Sequence, residues 1–193
     1  MKKTLGIDID GTLADTVSVW LQEFERAYGV KAFKKDLVRH EFSEVFTSLS
    51  HDQVIEIFSH AWDVYDRINL IDRDIPSIID NLRDHFNISI TTGNPNPNVK
   101  IWLRKNGIAY DRFMHFPEKA EKQKADGVDI YVDDFHEVVK NVAGAGKTAI
   151  LLRQPWNEGF IRSEKSKGII IADNWRHIEQ ILLELDGDAA NSK

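Results

Sequence analysis

Apolar and polar positions change rhythm along this chain so that strand-like and helix-like stretches alternate. Leu5, Ile7 and Ile9 alternate with Gly6 and Asp8, so residues 3–9 read as a strand. The scarcity of bulky polar residues between them places that strand centrally in a sheet. In residues 15–28, Val17, Trp20, Leu21, Phe24 and Tyr28 fall at helical spacing, with Asp15 and Thr16 suited to cap the helix. Residues 30–73 carry no period-two pattern. Their clearest helix is 50–66, which opens with Ser50 and Gln53 at capping-box spacing. Beyond residue 74 the rhythm becomes regular. A helix over 75–85 is followed by a strand over 87–92. "NPNPNVKIWLRKNGI" gives a turn and a helix stopped by Gly107, then "RFMHF" a short strand. "PEKAEKQKADG" is a helix with Pro117 in its first turn and Gly127 at its end. The strand "VDIYV", the helix "FHEVVKNVAGAG", the strand "KTAILL", a further strand in "KGIIIAD" and a helix over 173–185 complete the series.

This order predicts an α/β fold. It is a Rossmann-like parallel sheet with helices on both faces, plus a small helical cap inserted after the first strand. The expected division is a core of residues 1–14 and 74–188, a cap of residues 15–73 and a frayed tail at 189–193. The chain holds no internal repeat.

Composition narrows the function. Hydrophobic residues make up 42% of the 193, enough for a full core, and the net charge of −6 argues against a nucleic-acid polymer or a membrane surface as partner. The absence of cysteine removes disulfides, thiol nucleophiles and Cys-ligated zinc together. No apolar run approaches the roughly 18 residues of a membrane helix, and Asp8 and Asp10 break the only N-terminal apolar run, so a cytoplasmic location is expected. A homodimer is compatible with this composition.

In an open parallel sheet the chemistry collects at the carboxyl ends of the strands. Here those ends carry Asp8 and Asp10 before Gly11-Thr12, Thr91-Thr92 before Gly93, Lys119, and Asp133-Asp134. Carboxylates gathered at ~4 Å repel by about 4 kcal/mol per pair at an effective dielectric near 20, so they require raised pKa values or a cation. Hard oxygen donors without His or Cys favour Mg²⁺, which leaves positions open for water and a substrate phosphate. Alternate residues of a strand point the same way, so Asp8 and Asp10 can serve one site. One carboxylate can attack phosphorus while its neighbour handles the proton of the leaving oxygen.

"IDIDGTLAD" resembles the first motif of the haloacid dehalogenase superfamily, in which hydrophobic residues precede D-x-D-G-T. "ISITTG" resembles the second motif, Lys119 stands where the lysine of the third would lie, and "IYVDD" resembles the fourth. Within that superfamily "DGTLAD", the short insertion, "WLRKNGI", the Asp pair and "LLRQPWN" are similar to the 5'(3')-deoxyribonucleotidase group. The chain departs from that group at Thr16, where an aromatic is usual, and at Gly93-Asn94-Pro95, where Ser-Pro is frequent.

The resemblance implies a phosphomonoester hydrolase working through an aspartyl-phosphate, most closely a nucleotidase acting on a small-molecule phosphomonoester. It implies Asp8 as nucleophile and Asp10 as acid and base. It implies Thr92, Gly93 and Lys119 as phosphate ligands. The Mg²⁺ set would be Asp8, the backbone carbonyl of Asp10, Asp134 directly and Asp133 directly or through water. Thr91 is the neighbour that could replace Thr92, and Lys122 the rival of Lys119. A phosphatase for a sugar phosphate or phosphoglycolate, and a phosphoacceptor signalling domain, are the alternative functions. Trp20, Phe24, Phe42, Phe46, Phe58 and Trp62 are available as stacking platforms, although aromatics at helical spacing more often belong to a core. Arg153 and Trp156 are further candidates for reaching substrate. "GAGKT" lacks the first glycine of a phosphate-binding loop and runs helix to strand, so it reads as a helix stop and a turn.

Overall fold

The computed structural model describes residues 2–29, 31–37, 50–116, 126–163 and 166–191. The strands are β1 (Lys3–Ile7), β2 (Phe86–Thr92), β3 (Arg112–His115), β4 (Ile130–Asp133), β5 (Thr148–Leu152) and β6 (Ile170–Ala172). They form one all-parallel sheet in the order β3-β2-β1-β4-β5-β6. The chain winds outward from β1 to β3, then crosses back to β4 beside β1 and winds the other way. The crevice at the carboxyl ends of β1 and β4 is therefore the topological switch point, where open α/β sheets bind ligands. This is the fold class expected from the sequence.

Both faces of the sheet are covered. On one, Leu5, Ile7, Ile88, Ile90, Ile130, Val132, Ile150 and Leu152 pack with helices α3 (Ile75–Leu82), α4 (Asn98–Lys105) and α7 (Trp175–Asn191). On the other, Tyr131, Ala149 and Leu151 pack with Val138, Val139 and Val142 of α5 (His136–Gly144). The alternation along β4 and β5 that sends side chains to opposite faces is thus fully used. Gly6 belongs to the second face. A Cβ there would stand 2.5 Å from the ring of Tyr131, so the aromatic packs where β1 has no side chain.

The two ends of the segment after β1 meet in a neck at residues 13–15 and 69–71, and its apolar side chains join the same core cluster as the sheet. The Asp15 amide donates to the Asn69 carbonyl and the Ile71 amide to that of Leu13, and Ala14 bridges Leu70 antiparallel. Between these crossings lie α1 (Thr16–Tyr28), a 3₁₀ turn at Lys34–Asp36, α2 (His51–His60) and a 3₁₀ stretch at Ala61–Arg67. Asp15 caps α1 by accepting from the Ser18 amide, and Ser50 and Gln53 form the reciprocal capping box at the start of α2.

Three elements differ from the sequence reading. The helix expected over 50–66 is α only to His60, and the rest is 3₁₀ with a non-helical Val64. The first strand stops at Ile7, because Leu13 and Ala14 both donate to the Ile9 carbonyl and curl the chain back. The last helix, read as ending at 185, is longer: α7 continues to Asn191, with Asp186 against His85 at 2.9 Å. Residues 117–125, read as a helix, lie outside the described residues.

Candidate active site

Asp8 follows β1 directly and remains on the strand's path, since its amide donates to the Val132 carbonyl of β4. Asp133 ends β4 and Asp134 follows it. All three side chains are buried, and one carboxylate oxygen from each lies within 4.8 Å of the others. At an effective dielectric near 20 that separation costs roughly 3–4 kcal/mol per ionised pair.

Asp134 is held by two side-chain donors. Thr12 donates its hydroxyl to Oδ1 at 3.1 Å, and the Trp156 indole donates to Oδ2 at 2.7 Å. Even so, burial and the neighbouring Asp133 charge push its pKa up to about 8, against the pull of those two hydrogen bonds. The Asp133 carboxylate accepts the Phe135 amide at 2.7 Å, which turns the chain into α5.

Gly11 makes the cluster sterically possible. Its φ is +79°, and a Cβ there would lie 2.5 Å from Asp134 Oδ2. Glycine alone meets both demands at low cost. Asp10 is near the three converging carboxylates in sequence, and its Oδ1 accepts the Trp62 indole N–H at 2.8 Å.

At the end of β2 the two threonines part. Thr91 faces the sheet interior, its hydroxyl paired with the Tyr131 hydroxyl and directed at the Ile7 carbonyl. Thr92 begins the loop, accepting the Asn94 amide at 3.0 Å, while its carbonyl accepts the Phe116 amide. Gly93 follows at the strand terminus. Lys119 and its rival Lys122 lie outside the described residues.

Several residues around the site carried no local signal. Gln154 donates to the Gly11 carbonyl, Asn157 to the carbonyls of Asp134 and Leu152, and Trp175 to the Thr12 carbonyl. They reach the site from a 3₁₀ turn at Pro155–Asn157 and from the start of α7. In "LLRQPWN", the segment similar to the deoxyribonucleotidase group, Gln154, Trp156 and Asn157 brace the aspartate loops. Of the other candidates, Arg153 is engaged by Glu158 and Asp173. Trp20, Phe24 and Trp62 are fully buried, which makes them core rather than open stacking surfaces. Phe42, Phe46 and the side chain of Phe58 lie outside the described residues.

The donor set suits Mg²⁺: three buried carboxylates, converging oxygens, no imidazole or thiolate, and one acid whose ionisation burial opposes. No helix among the described residues is long and apolar enough to cross a membrane.

Several solved structures share this fold. The hydrolase SP0104, a haloacid dehalogenase-like family protein from Streptococcus pneumoniae, aligns with a TM-score of 0.68 at 14% identity, covering 93% of this chain and 98% of its own. The Mycobacterium tuberculosis Protein Tyrosine Kinase A aligns at 0.73 with 16% identity, covering 94% and 98%. The HAD-hydrolase YfnB from Bacillus subtilis, solved bound to magnesium, aligns at 0.62 with 13% identity, covering 94% and 99%. No curated protein matches the chain significantly by sequence. The family model described as 5' nucleotidase, deoxy (pyrimidine), cytosolic type C protein matches residues 2–186. With the acid-bearing strand ends in the expected order, that match places the chain in the cytosolic type C deoxynucleotidase family, phosphoric monoester hydrolases of the haloacid dehalogenase superfamily.

Proposed function

We propose that this chain is a Mg²⁺-dependent deoxynucleoside 5'-monophosphatase that works through an aspartyl-phosphate on Asp8. The observation that carries the reading is the division of the acids. Asp8, Asp133 and Asp134 converge, while Asp10, two residues from Asp8, accepts the Trp62 indole N–H. Two environments for neighbouring carboxylates suit two roles.

In this scheme Asp8 attacks phosphorus, forming a P–O bond as the ester P–O bond breaks. Asp10 gives its proton to the departing 5'-oxygen. Asp10 then takes a proton from water as that water attacks the phosphoenzyme, which releases inorganic phosphate and restores Asp8. The Thr92 hydroxyl and the Gly93 amide hold phosphate oxygens. The paired hydroxyl of Thr91 favours Thr92 for this task. Lys119 is assigned the role of neutralising the phosphate. Asp8, Asp133, Asp134 and the Asp10 carbonyl would hold Mg²⁺, which when bound offsets the clustered negative charge and polarises the phosphoryl group.

Residues 15–73 act as a cap over this crevice. The neck at 13–15 and 69–71, and the contact of Trp62 with Asp10, support that division. A cap that closes over the substrate excludes water and sets specificity.

The test is a panel of deoxyribonucleoside and ribonucleoside 5'-monophosphates, sugar phosphates and phosphoglycolate, assayed with Mg²⁺ and with EDTA. Deoxynucleotides should be preferred, EDTA should remove turnover, and Asp8→Asn should be inactive yet folded. An active Asp8→Asn variant would contradict the nucleophile, and a preference for a non-nucleotide ester would contradict the substrate class.

A further inference from the structure

The hydrogen bond between Trp62 and Asp10 is one end of a longer chain of contacts. Trp62 is fully buried, and its indole stands edge-on against Trp102, with ring centroids 5.9 Å apart at 87°. Trp102 is itself fixed by donating to the Ile68 carbonyl at 2.8 Å. The backbone of Trp62 is held as well, since the Asn98 side-chain Nδ2 donates to the Trp62 carbonyl at 3.0 Å.

Asn98 is the last step of a staircase built from "NPNPN". The Asn94 amide donates to Thr92 Oγ1, the Asn96 amide to Asn94 Oδ1, and the Asn98 amide to Asn96 Oδ1, at 2.9–3.0 Å each. Asparagine side chains that accept a backbone amide two residues on form Asx turns, and proline between them fixes φ, so the stair is rigid. Asn96 also donates to Asp63, next to Trp62. The stair therefore runs from the hydroxyl at the end of β2 to the residue that grips Asp10.

We propose that Trp62 is a positioning residue for Asp10, set in register with the loop at Thr92 by the asparagine staircase. The inference rests on the assignment of Asp10 as the acid of the phosphatase reaction. A carboxylate at a strand end can rotate about two side-chain bonds, and general acid catalysis requires it within hydrogen-bond reach of the leaving oxygen. An indole N–H on Oδ1 restricts that rotation and favours one rotamer of the carboxylate. Because the indole's own place is set from the phosphate-binding side, the acid and the phosphate are located by one continuous set of contacts. A positional error of about 1 Å in such a group can cost on the order of a hundredfold in rate.

The experiment compares leaving groups. The readout is kcat/KM, which covers the steps through departure of the leaving group. The substrates are deoxyuridine 5'-monophosphate, whose alkoxide must be protonated, and p-nitrophenyl phosphate, whose phenolate leaves without help. Trp62→Phe removes the N–H. Replacement of Trp62 by benzothienylalanine removes it without changing the ring's shape, which covers the case in which Trp62→Phe does not fold. Both should lose roughly ten- to hundredfold with the alkyl ester and less than about threefold with the aryl ester. In an Asp10→Asn background neither should cause further loss.

Equal losses on both esters, full activity in the benzothienyl variant, or losses that add to that of Asp10→Asn would overturn the proposal. Wild-type protein that hydrolyses neither ester, or an Asp10→Asn variant that does not discriminate between them, would instead overturn the phosphatase assignment on which it rests.

Discussion

Replacing Asp134 with asparagine should stabilise the metal-free protein at neutral pH and flatten its dependence on pH. The Asp134 pKa stands at about 8 in the fold against an ordinary value of 3.8, so between those values the native state holds a proton that the unfolded state has lost. Stability present below about pH 4 is then lost as pH rises towards 8. One proton of linkage is worth about 1.4 kcal/mol per pH unit, or about 2 kcal/mol between pH 6 and 7.5. For a domain of this size that corresponds to a fall in Tm of roughly 4–8 °C. Thermal denaturation of EDTA-treated protein across that range measures it. Asparagine can keep both contacts: Oδ1 accepts the Trp156 indole, and the Thr12 hydroxyl turns to accept from Nδ2. The variant should therefore fold, and any slope from histidine titration will be common to both proteins. Mg²⁺ should raise the wild-type Tm more at pH 7.5 than at pH 6 and leave Asp134→Asn little changed. If Asp134→Asn shows the wild-type slope in EDTA, the strain of the acidic cluster does not reside at Asp134 and the reasoning fails.

Gly11→Ala should abolish activity and destabilise by about 2 kcal/mol or more. Its Cβ meets Asp134 at 2.5 Å on a backbone with φ of +79°, a left-handed conformation that alone costs roughly 1–2 kcal/mol, and chemical denaturation reads the sum. Trp156→Phe, which removes a buried donor to Asp134, should weaken Mg²⁺ activation about ten- to hundredfold in a metal titration while leaving the KM for substrate near wild type. Thr92→Val should lower kcat/KM strongly and, because the Asn94 amide loses its acceptor, also lower Tm. Thr91→Val should leave kcat/KM near wild type while lowering stability by about 1–3 kcal/mol, because its buried hydroxyl is paired with that of Tyr131.

What could be read in advance was whatever a short window contains. The D-x-D-G-T run ends an alternating strand, and Asp133-Asp134 ends another, so strand geometry alone puts their side chains at one rim. The Ser50–Gln53 cap and the Gly107 stop are equally local, and both are present. The supports of the site were illegible for the opposite reason. Trp156, Asn157 and Trp175 act on aspartates or loops more than 20 residues away in sequence, and a tryptophan bound for the core looks the same as one bound for an aspartate. Helical spacing favours the core for Trp62, and its burial agrees; its indole contact with Asp10 comes from tertiary packing that no local pattern announces. The change from α to 3₁₀ after His60 also lacked a proline or glycine to announce it.

The central place of β1 has a consequence for how the protein is made. β1 leaves the ribosome well before its hydrogen-bonding neighbours, residues 86–92 and 130–133. Trp175, which secures Thr12, comes later still. Until then a nascent chain presents an apolar strand with two unsatisfied edges, a species prone to mispairing and dependent on shielding during translation. A ribosome stalled before residue 130 would leave that strand half paired and Asp8 without the Asp133 and Asp134 carboxylates.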